Sequence, residues 1–152
     1  MASLTVTTRF GPLTLTDMDG MLTRVMWDGA DDGAPTPVLE DAARQLREYD
    51  AGSRQTFELP LNVIGSDLQQ AVCAAIRAIP FGETRTYGEI ARDLGVSAQT
   101  VGQACGANPI PVLIPCHRVM GADGRLTGFS GKGGVETKVA LLRHEGAAGL
   151  LI

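Results

Sequence analysis

The chain has 152 residues and a mass of 16.0 kDa, room for one domain or two small ones sharing a core and not for a multi-domain machine. Apolar residues make up 44% and charged residues 20%, which excludes a disordered or collagen-like chain, and no run of about eighteen apolar residues offers a membrane span. The formal net charge of -4 speaks against a broad phosphate-binding surface, because such surfaces need Lys and Arg.

The N-terminus, Met-Ala-Ser-Leu-Thr-Val, lacks the positive segment and apolar stretch of an export signal, so a cytoplasmic protein is expected. Residues 3–27 alternate in short stretches: Leu4 and Val6, Leu13 and Leu15, then Leu22 to Trp27 after the turn Asp17-Met18-Asp19-Gly20. This pattern predicts an antiparallel meander. Residues 28–37 form a turn-rich loop, after which Val38, Ala42, Leu46 and Tyr49 recur at helical spacing up to Gly52-Ser53-Arg54. Phe57, Leu59, Leu61 and Val63 alternate again, so a strand or extended segment closes a small α/β domain over residues 1–64.

A second domain is expected over residues 65–152. Ser66 is a plausible N-cap, and Leu68, Val72, Ala75, Ile76 and Ile79 mark an amphipathic helix that stops before Pro80. Tyr87 to Leu94 reads as a short helix stopped by Gly95, and Ser97 caps another from Ala98 to about Gly106. Helix, glycine turn, helix is the pattern of a helix-turn-helix, although any bundle can contain it. Asn108-Pro109 breaks the second helix, and Ile110, Val112 and Ile114 line one face of a predicted strand leading into Pro115-Cys116-His117-Arg118-Val119. Six glycines follow within fourteen residues, from Gly121 to Gly134, and Lys138 to His144 reads as a last helix with Val139 and Leu142 facing the body. The fold class expected is therefore α/β (α+β): a small antiparallel sheet with one helix, then a mostly helical, winged-helix-like domain.

Charge is unevenly spread over these halves. Residues 1–64 hold five Lys/Arg against ten Asp/Glu, whereas residues 65–152 hold eight against seven. The acidity thus belongs to the first half, and the second remains compatible with DNA. Three cysteines, Cys73, Cys105 and Cys116, are too few and too unevenly spaced for a disulfide framework. With His117 and His144 the only histidines, no ligand set for zinc is present, and neither metal nor cofactor is expected.

Cys116 carries the chemistry. Most cysteines are buried packing residues, and a reactive one needs a base, a cation or a helix terminus beside it. Here His117 and Arg118 adjoin it, and Glu145 is available to orient an imidazole, which is the logic of nucleophile, base and orienter.

Ile114-Pro115-Cys116-His117-Arg118-Val119, preceded by Val101-Gly102 and Asn108-Pro109, is followed by Leu126-Thr127-Gly128-Phe129-Ser130-Gly131, Lys138 and Leu141-Leu142-Arg143-His144-Glu145-Gly146. This ordered set, from about Ser66 to Gly146, closely resembles the O6-alkylguanine-DNA alkyltransferases. The resemblance implies a repair protein that flips an alkylated guanine from the duplex and moves the alkyl group from O6 to Cys116, with O4-alkylthymine a possible second substrate. It implies that His117 acts as general base through water, that Glu145 fixes its tautomer, and that Tyr87 donates a proton to the base and rotates its phosphate. Backbone groups of Val119 and Ser130 would hold the base edge, Phe129 would supply an aromatic wall, and Asn108 would join the recognition helix to the cysteine turn. Cys105 would lie beside the pocket. Ala98, Gln99, Thr100, Gly102 and Gln103 would meet double-stranded DNA in the minor groove, where sequence readout is degenerate. The protein would act as a monomer, and its thioether product would not hydrolyse, so each molecule would be consumed by one transfer.

The chain departs from the family pattern at several positions. Gln99 stands where an intercalating arginine is usual, Phe129 where many relatives carry tyrosine, and Cys73 where tryptophan is frequent. Arg118 is read as a structural ion-pair residue and not a phosphate ligand, and His144 as a solvated helix end. Residues 1–64 are read as a stabilising cap. Three alternatives stay open: a lesion-binding relative without transfer activity, a helix-turn-helix regulator, and a Cys-His hydrolase.

Overall fold

Alternation in the first 27 positions builds three strands, β1 (Ala2–Thr8), β2 (Gly11–Met18) and β3 (Met21–Trp27), in a computed structural model that describes residues 1–125 and 134–147. They pair as an antiparallel meander in the order β1-β2-β3, with Val6 opposite Leu13 and Leu15 opposite Val25. That register puts Val6, Leu13, Leu15 and Val25 on one buried face. Helix α1 (Pro37–Asp50) starts at the Thr36 N-cap and lays Leu39, Ala42, Leu46 and Tyr49 against β1 and β2. Residues 57–63 do not form a strand. Leu22 donates to the Pro60 carbonyl at 2.9 Å and accepts from Asn62 at 2.9 Å, a single bridge, and Pro60 has no N–H to lengthen it. These elements form one compact unit, Met1–Ile64, and the remainder forms another, Gly65–Ile152.

In the second unit, helix α2 (Asp67–Arg77) is capped by Ser66 and buries Val72, Cys73 and Ile76. A two-residue strand, β4 (Arg85–Thr86), leads directly into α3 (Tyr87–Leu94), whose start is fixed by a reciprocal Thr86–Glu89 capping box. Gly95 ends α3 in the left-handed region at φ 69°, a conformation cheap only for glycine, and Ser97 caps α4 (Ala98–Gly106). Gln69 on α2 donates to the Ala104 carbonyl at 2.9 Å, which ties α2 to α4.

The predicted strand at residues 110–114 is instead a tight turn, with Ile114 N donating to the Ile110 carbonyl at 2.9 Å. Pro109, Pro111 and Pro115 remove ladder donors, and Asn108 bonds both ends, accepting from Ile110 N at 3.0 Å and donating to Ile114 O at 2.9 Å. Ile110, Val112, Leu113 and Ile114 are all buried, so no alternation of faces exists. Val112 takes a left-handed φ of 70°, which costs on the order of 1–3 kcal/mol for a side-chain-bearing residue and persists where the surroundings over-determine it. A 3-10 turn, Cys116–Arg118, follows, and then β5 (Val119–Met120), which pairs in parallel with β4. The last helix, α5, begins at Val135 and runs to His144. Its inward residues are Lys138, Leu141 and Leu142, while Val139 is only half-buried. Among the described residues no helix is long and apolar enough to cross a membrane.

Candidate active site

The turn after Ile114 concentrates the reactive groups. The Ile114 carbonyl accepts from Cys116 N at 2.8 Å and from Asn108 Nδ2 at 2.9 Å, so Asn108, two residues past the end of α4, and the cysteine hang on one acceptor. Cys116 therefore opens a 3-10 turn and does not end a strand. The Cys116 side chain is buried, and burial pushes its thiol up, against a hydrogen bond from Asn108 and the charge of Lys138.

His117 is fully buried, with Nε2 2.8 Å from Glu145 Oε2. Burial holds the imidazole below its usual value, and the Glu145 hydrogen bond and charge oppose that. Burial also works against the Glu145 carboxylate, but hydrogen bonds and charge from His117 and Arg118 outweigh it and bring it to about 2. An ionised carboxylate only accepts, so Nε2 carries the ring hydrogen and Nδ1 the lone pair. His117 Nδ1 is buried and has no hydrogen-bond partner among the described residues. A basic nitrogen one residue from a thiol, with its opposite edge clamped, is the arrangement of a general base.

Arg118 holds the carboxylate from its other side. Its Nε donates to Glu145 Oε1 at 2.7 Å and its Nη2 to Oε2 at 3.0 Å, a two-pronged fork. Nη1 donates to the Ile79 carbonyl at 2.7 Å beyond the end of α2, and the guanidinium lies 5.9 Å from the centre of the Phe81 ring. These contacts fit the structural ion pair expected for Arg118. Gly82 passes close by at φ +82°, where an added Cβ would stand 3.3 Å from the Glu145 carbonyl.

The β4–β5 ladder pairs Arg85 with Val119 and Thr86 with Met120, which fixes Tyr87, the next residue, relative to the cysteine turn. Lys138 joins both sides: its Nζ donates to the Val119 carbonyl at 2.6 Å and sits 5.9 Å from the Tyr87 ring centre. Sequence reasoning gave this lysine no role. The available signal was its place three residues before Leu141 and four before Leu142, a charge on the apolar stripe of α5.

Cys105 faces inward from α4 with Val101 and Ala104, and burial, with the Cys116 charge, pushes its thiol up to about 12. Ala98, Gln99 and Gln103 are exposed on the opposite face of α4, and Thr100 and Gly102 are half-buried. That helix carries no charged side chain. The structure thus brings Cys116, His117, Glu145, Asn108, Val119, Tyr87 and Cys105 to one region and leaves the five α4 positions as a separate neutral surface. Phe129 and Ser130 lie outside the described residues. His144, expected as a solvated end, is half-buried in the last turn of α5.

Comparison with known proteins returns consistent matches. Residues 67–147 match the family model described as 6-O-methylguanine DNA methyltransferase, DNA binding domain. A Mycobacterium bovis methylated-DNA–protein-cysteine methyltransferase is 42% identical, over 93% of this chain and 90% of its own length. The constitutive Bacillus subtilis protein of the same name is 46% identical over 72% of this chain and 67% of its own. The crystal structure of the Mycobacterium tuberculosis O6-methylguanine methyltransferase superposes with a TM-score of 0.84 at 40% identity, covering 96% of this chain and 93% of that one. A structure of the M. tuberculosis protein in complex with DNA gives 0.83 at 42% identity, covering 93% and 91%.

Proposed function

The chain belongs to the methylated-DNA–protein-cysteine methyltransferase family, and from that premise we propose that it repairs DNA by taking an alkyl group from O6 of a flipped guanine onto Cys116. The observation that carries this reading is the clamped imidazole: Glu145 holds His117 Nε2 at 2.8 Å and leaves the buried Nδ1, on the residue that follows Cys116, without a hydrogen-bond partner among the described residues.

The Cys116 proton passes through a water to His117 Nδ1, and the imidazolium so formed is held by the Glu145 carboxylate. The sulfur lone pair attacks the sp3 alkyl carbon in line, an S–C bond forms, and the C–O6 bond breaks. The electron pair leaves on guanine, and the Tyr87 hydroxyl supplies its proton. Val119 and Ser130 hold the base edge through backbone groups. The Val119 carbonyl has a second lone pair beyond the one that Lys138 occupies. Cys105 bounds the pocket, Asn108 keeps the recognition helix and the cysteine turn in one register, and the aromatic wall is the role that the family pattern gives Phe129. The product is a thioether with no carbonyl for water to attack, so one molecule repairs one lesion.

The duplex meets α4 by its minor groove, with Ala98, Gln99, Thr100, Gly102 and Gln103 at the interface. A neutral helix of small and amide side chains suits a search for lesions in any sequence, and extruding a weakened base pair costs a few kcal/mol. The protein works as a monomer, without cofactor, in the reducing cytoplasm; residues 65–152 carry the chemistry and residues 1–64 none of it.

The test is incubation with an oligonucleotide containing O6-methylguanine, followed by intact and peptide masses. One methyl group on Cys116, absent in Cys116→Ala, is the expected result. Tight lesion binding with no adduct would instead make the protein a lesion-recognition relative, and neither binding nor adduct would overturn the proposal altogether.

A further inference from the structure

A duplex lying on α4 delivers a base to Cys116 only if that helix is held at a fixed angle to the cysteine turn, and its own side chains do little to hold it. Its inward face is Val101, Ala104 and Cys105, and it carries no charged residue that could form an ion pair. Dispersion attraction scales with the atoms brought together, so these short side chains resist a turn of the helix less than leucines would. Asn108 joins the end of α4 to the cysteine turn, but a link at one residue fixes a position and leaves rotation about it.

A second link runs through α2. Carbonyls in the last turn of a helix lack partners within it, and Gln69 supplies one from outside, its Nε2 donating to the Ala104 carbonyl at 2.9 Å. The same carbonyl receives a longer bond, 3.2 Å, from Ala107 N. An amide has two hydrogens, and Cys73 Sγ, 3.5 Å from Nε2 and four residues on, takes the second, so the side chain is held in one arrangement. Beyond the other end of α2 the Ile79 carbonyl accepts from Arg118 Nη1 at 2.7 Å, and Arg118 grips Glu145, which holds His117. About 15 Å separates Gln69 from Ile79 at 1.5 Å per residue, a lever arm long enough for its two ends to fix an orientation. α4, the cysteine turn, Arg118 and α2 thus close a ring, which removes the rotation that Asn108 alone leaves.

We propose that Gln69 is a positioning residue for alkyl transfer: by fastening the end of α4 to α2 it fixes the DNA-facing helix relative to Cys116, so that a base extruded from a duplex on α4 arrives in line with the sulfur. The inference rests on the transfer reading above and extends it to a helix that contributes no reacting group. Slack at Gln69 leaves the cysteine, its base and the outer face of α4 intact and changes the angle between them. Misplacing the reacting atoms by about 1 Å slows a positioned reaction by up to about a hundredfold, whereas binding to a neutral surface of small side chains is far less sensitive to that angle. Rate and affinity therefore part company when Gln69 is altered.

The test is single-turnover transfer from a duplex containing O6-methylguanine to the full-length protein, measured across duplex concentrations to separate the saturating rate from the half-saturating concentration. Gln69→Leu removes both amide hydrogens at similar size. Its saturating rate is expected to fall about tenfold or more, while the half-saturating concentration, and iodoacetamide labelling of Cys116 without DNA, stay within about twofold of wild type. Gln69→Lys, which keeps a donor within reach of the Ala104 carbonyl, is expected to restore most of the rate. An unchanged saturating rate in Gln69→Leu overturns the proposal. So does a loss confined to the half-saturating concentration, which makes Gln69 part of the DNA surface, or a parallel loss of labelling, which makes it a support of the cysteine turn alone. Should Gln69→Leu not fold, Gln69→Glu, of the same shape and without amide hydrogens, is judged by the same criteria. A wild-type protein that takes no methyl group refutes the transfer reading and this one with it; normal transfer by wild type and variants alike refutes this one only.

Discussion

Replacing Glu145 by glutamine keeps the shape of the side chain and removes one buried charge. Glu145 is 4% exposed and Arg118 6%, so the substitution leaves a desolvated guanidinium beside a neutral amide. Breaking a buried ion pair from one side costs about 3–5 kcal/mol, because the remaining charge is unpaired. The carboxylate itself gives a second measure: lowering its pKa from 4.5 to about 2 corresponds to about 3 kcal/mol of folded-state stability. The group is depressed in the folded state, so this stability is present above pH 4.5 and is lost as pH falls through about 2. Urea denaturation of wild type and Glu145→Gln at neutral pH and through the acid range tests both numbers. The variant is expected to lose about 3 kcal/mol near neutrality, and the gap to wild type is expected to narrow as the wild-type carboxylate takes up its proton. Equal stability at neutral pH, or a gap that persists unchanged into acid, would refute the account of Arg118, Glu145 and His117 as one charge-coupled group.

Three further outcomes follow from other parts of the molecule. Burial holds His117 below the ordinary imidazole value of about 6.5, so the base form survives on acidification, and the single-turnover transfer rate is expected to fall only below that pH; a midpoint at or above it contradicts the assignment of His117 as base. Gly82→Ala forces a left-handed φ on a residue with a Cβ and brings that carbon 3.3 Å from the Glu145 carbonyl, which is expected to cost about 1–2 kcal/mol, read as a lower Tm; an unchanged Tm shows that the turn relaxes freely. Gln99→Arg adds a cation to a helix that has none and is expected to tighten DNA binding and speed transfer; if affinity and rate both stay put, position 99 is not at the duplex.

Much of this was legible because local chemistry and tertiary packing agree. Ser66, Thr86, Ser97 and Gly95 are helix punctuation whose effect needs only neighbouring backbone, and α2, α3 and α4 begin or end on them. The contact of His117 with Glu145 could be read from the need of an imidazole for an acceptor. The failures lie where side-chain hydrogen bonds or three-dimensional packing replace periodicity. Residues 110–114 alternate like a strand, yet Asn108 stitches them into a turn by two bonds that no propensity encodes. Leu59 and Leu61 alternate as well, but Pro60 permits only one bridge to Leu22. Of the two residues expected to face inward on α5, Leu142 does and Val139 is half-buried, because the fold places Lys138 there with its stem as core and its ammonium as a buried charge.

The connections of Arg118 also bear on when the protein becomes reactive. Its bond to the Ile79 carbonyl spans 39 residues and its fork to Glu145 spans 27, so the site is closed by long loops whose entropy must be spent before any contact rewards it. No short fragment around Cys116 contains its own base clamp. A nascent chain therefore leaves His117 unclamped until residue 145 is free to fold back, and local unfolding of the last helix would release the imidazole of a finished molecule in the same way. The clamp on His117 is thus assembled only in chains that have folded as far as residue 145.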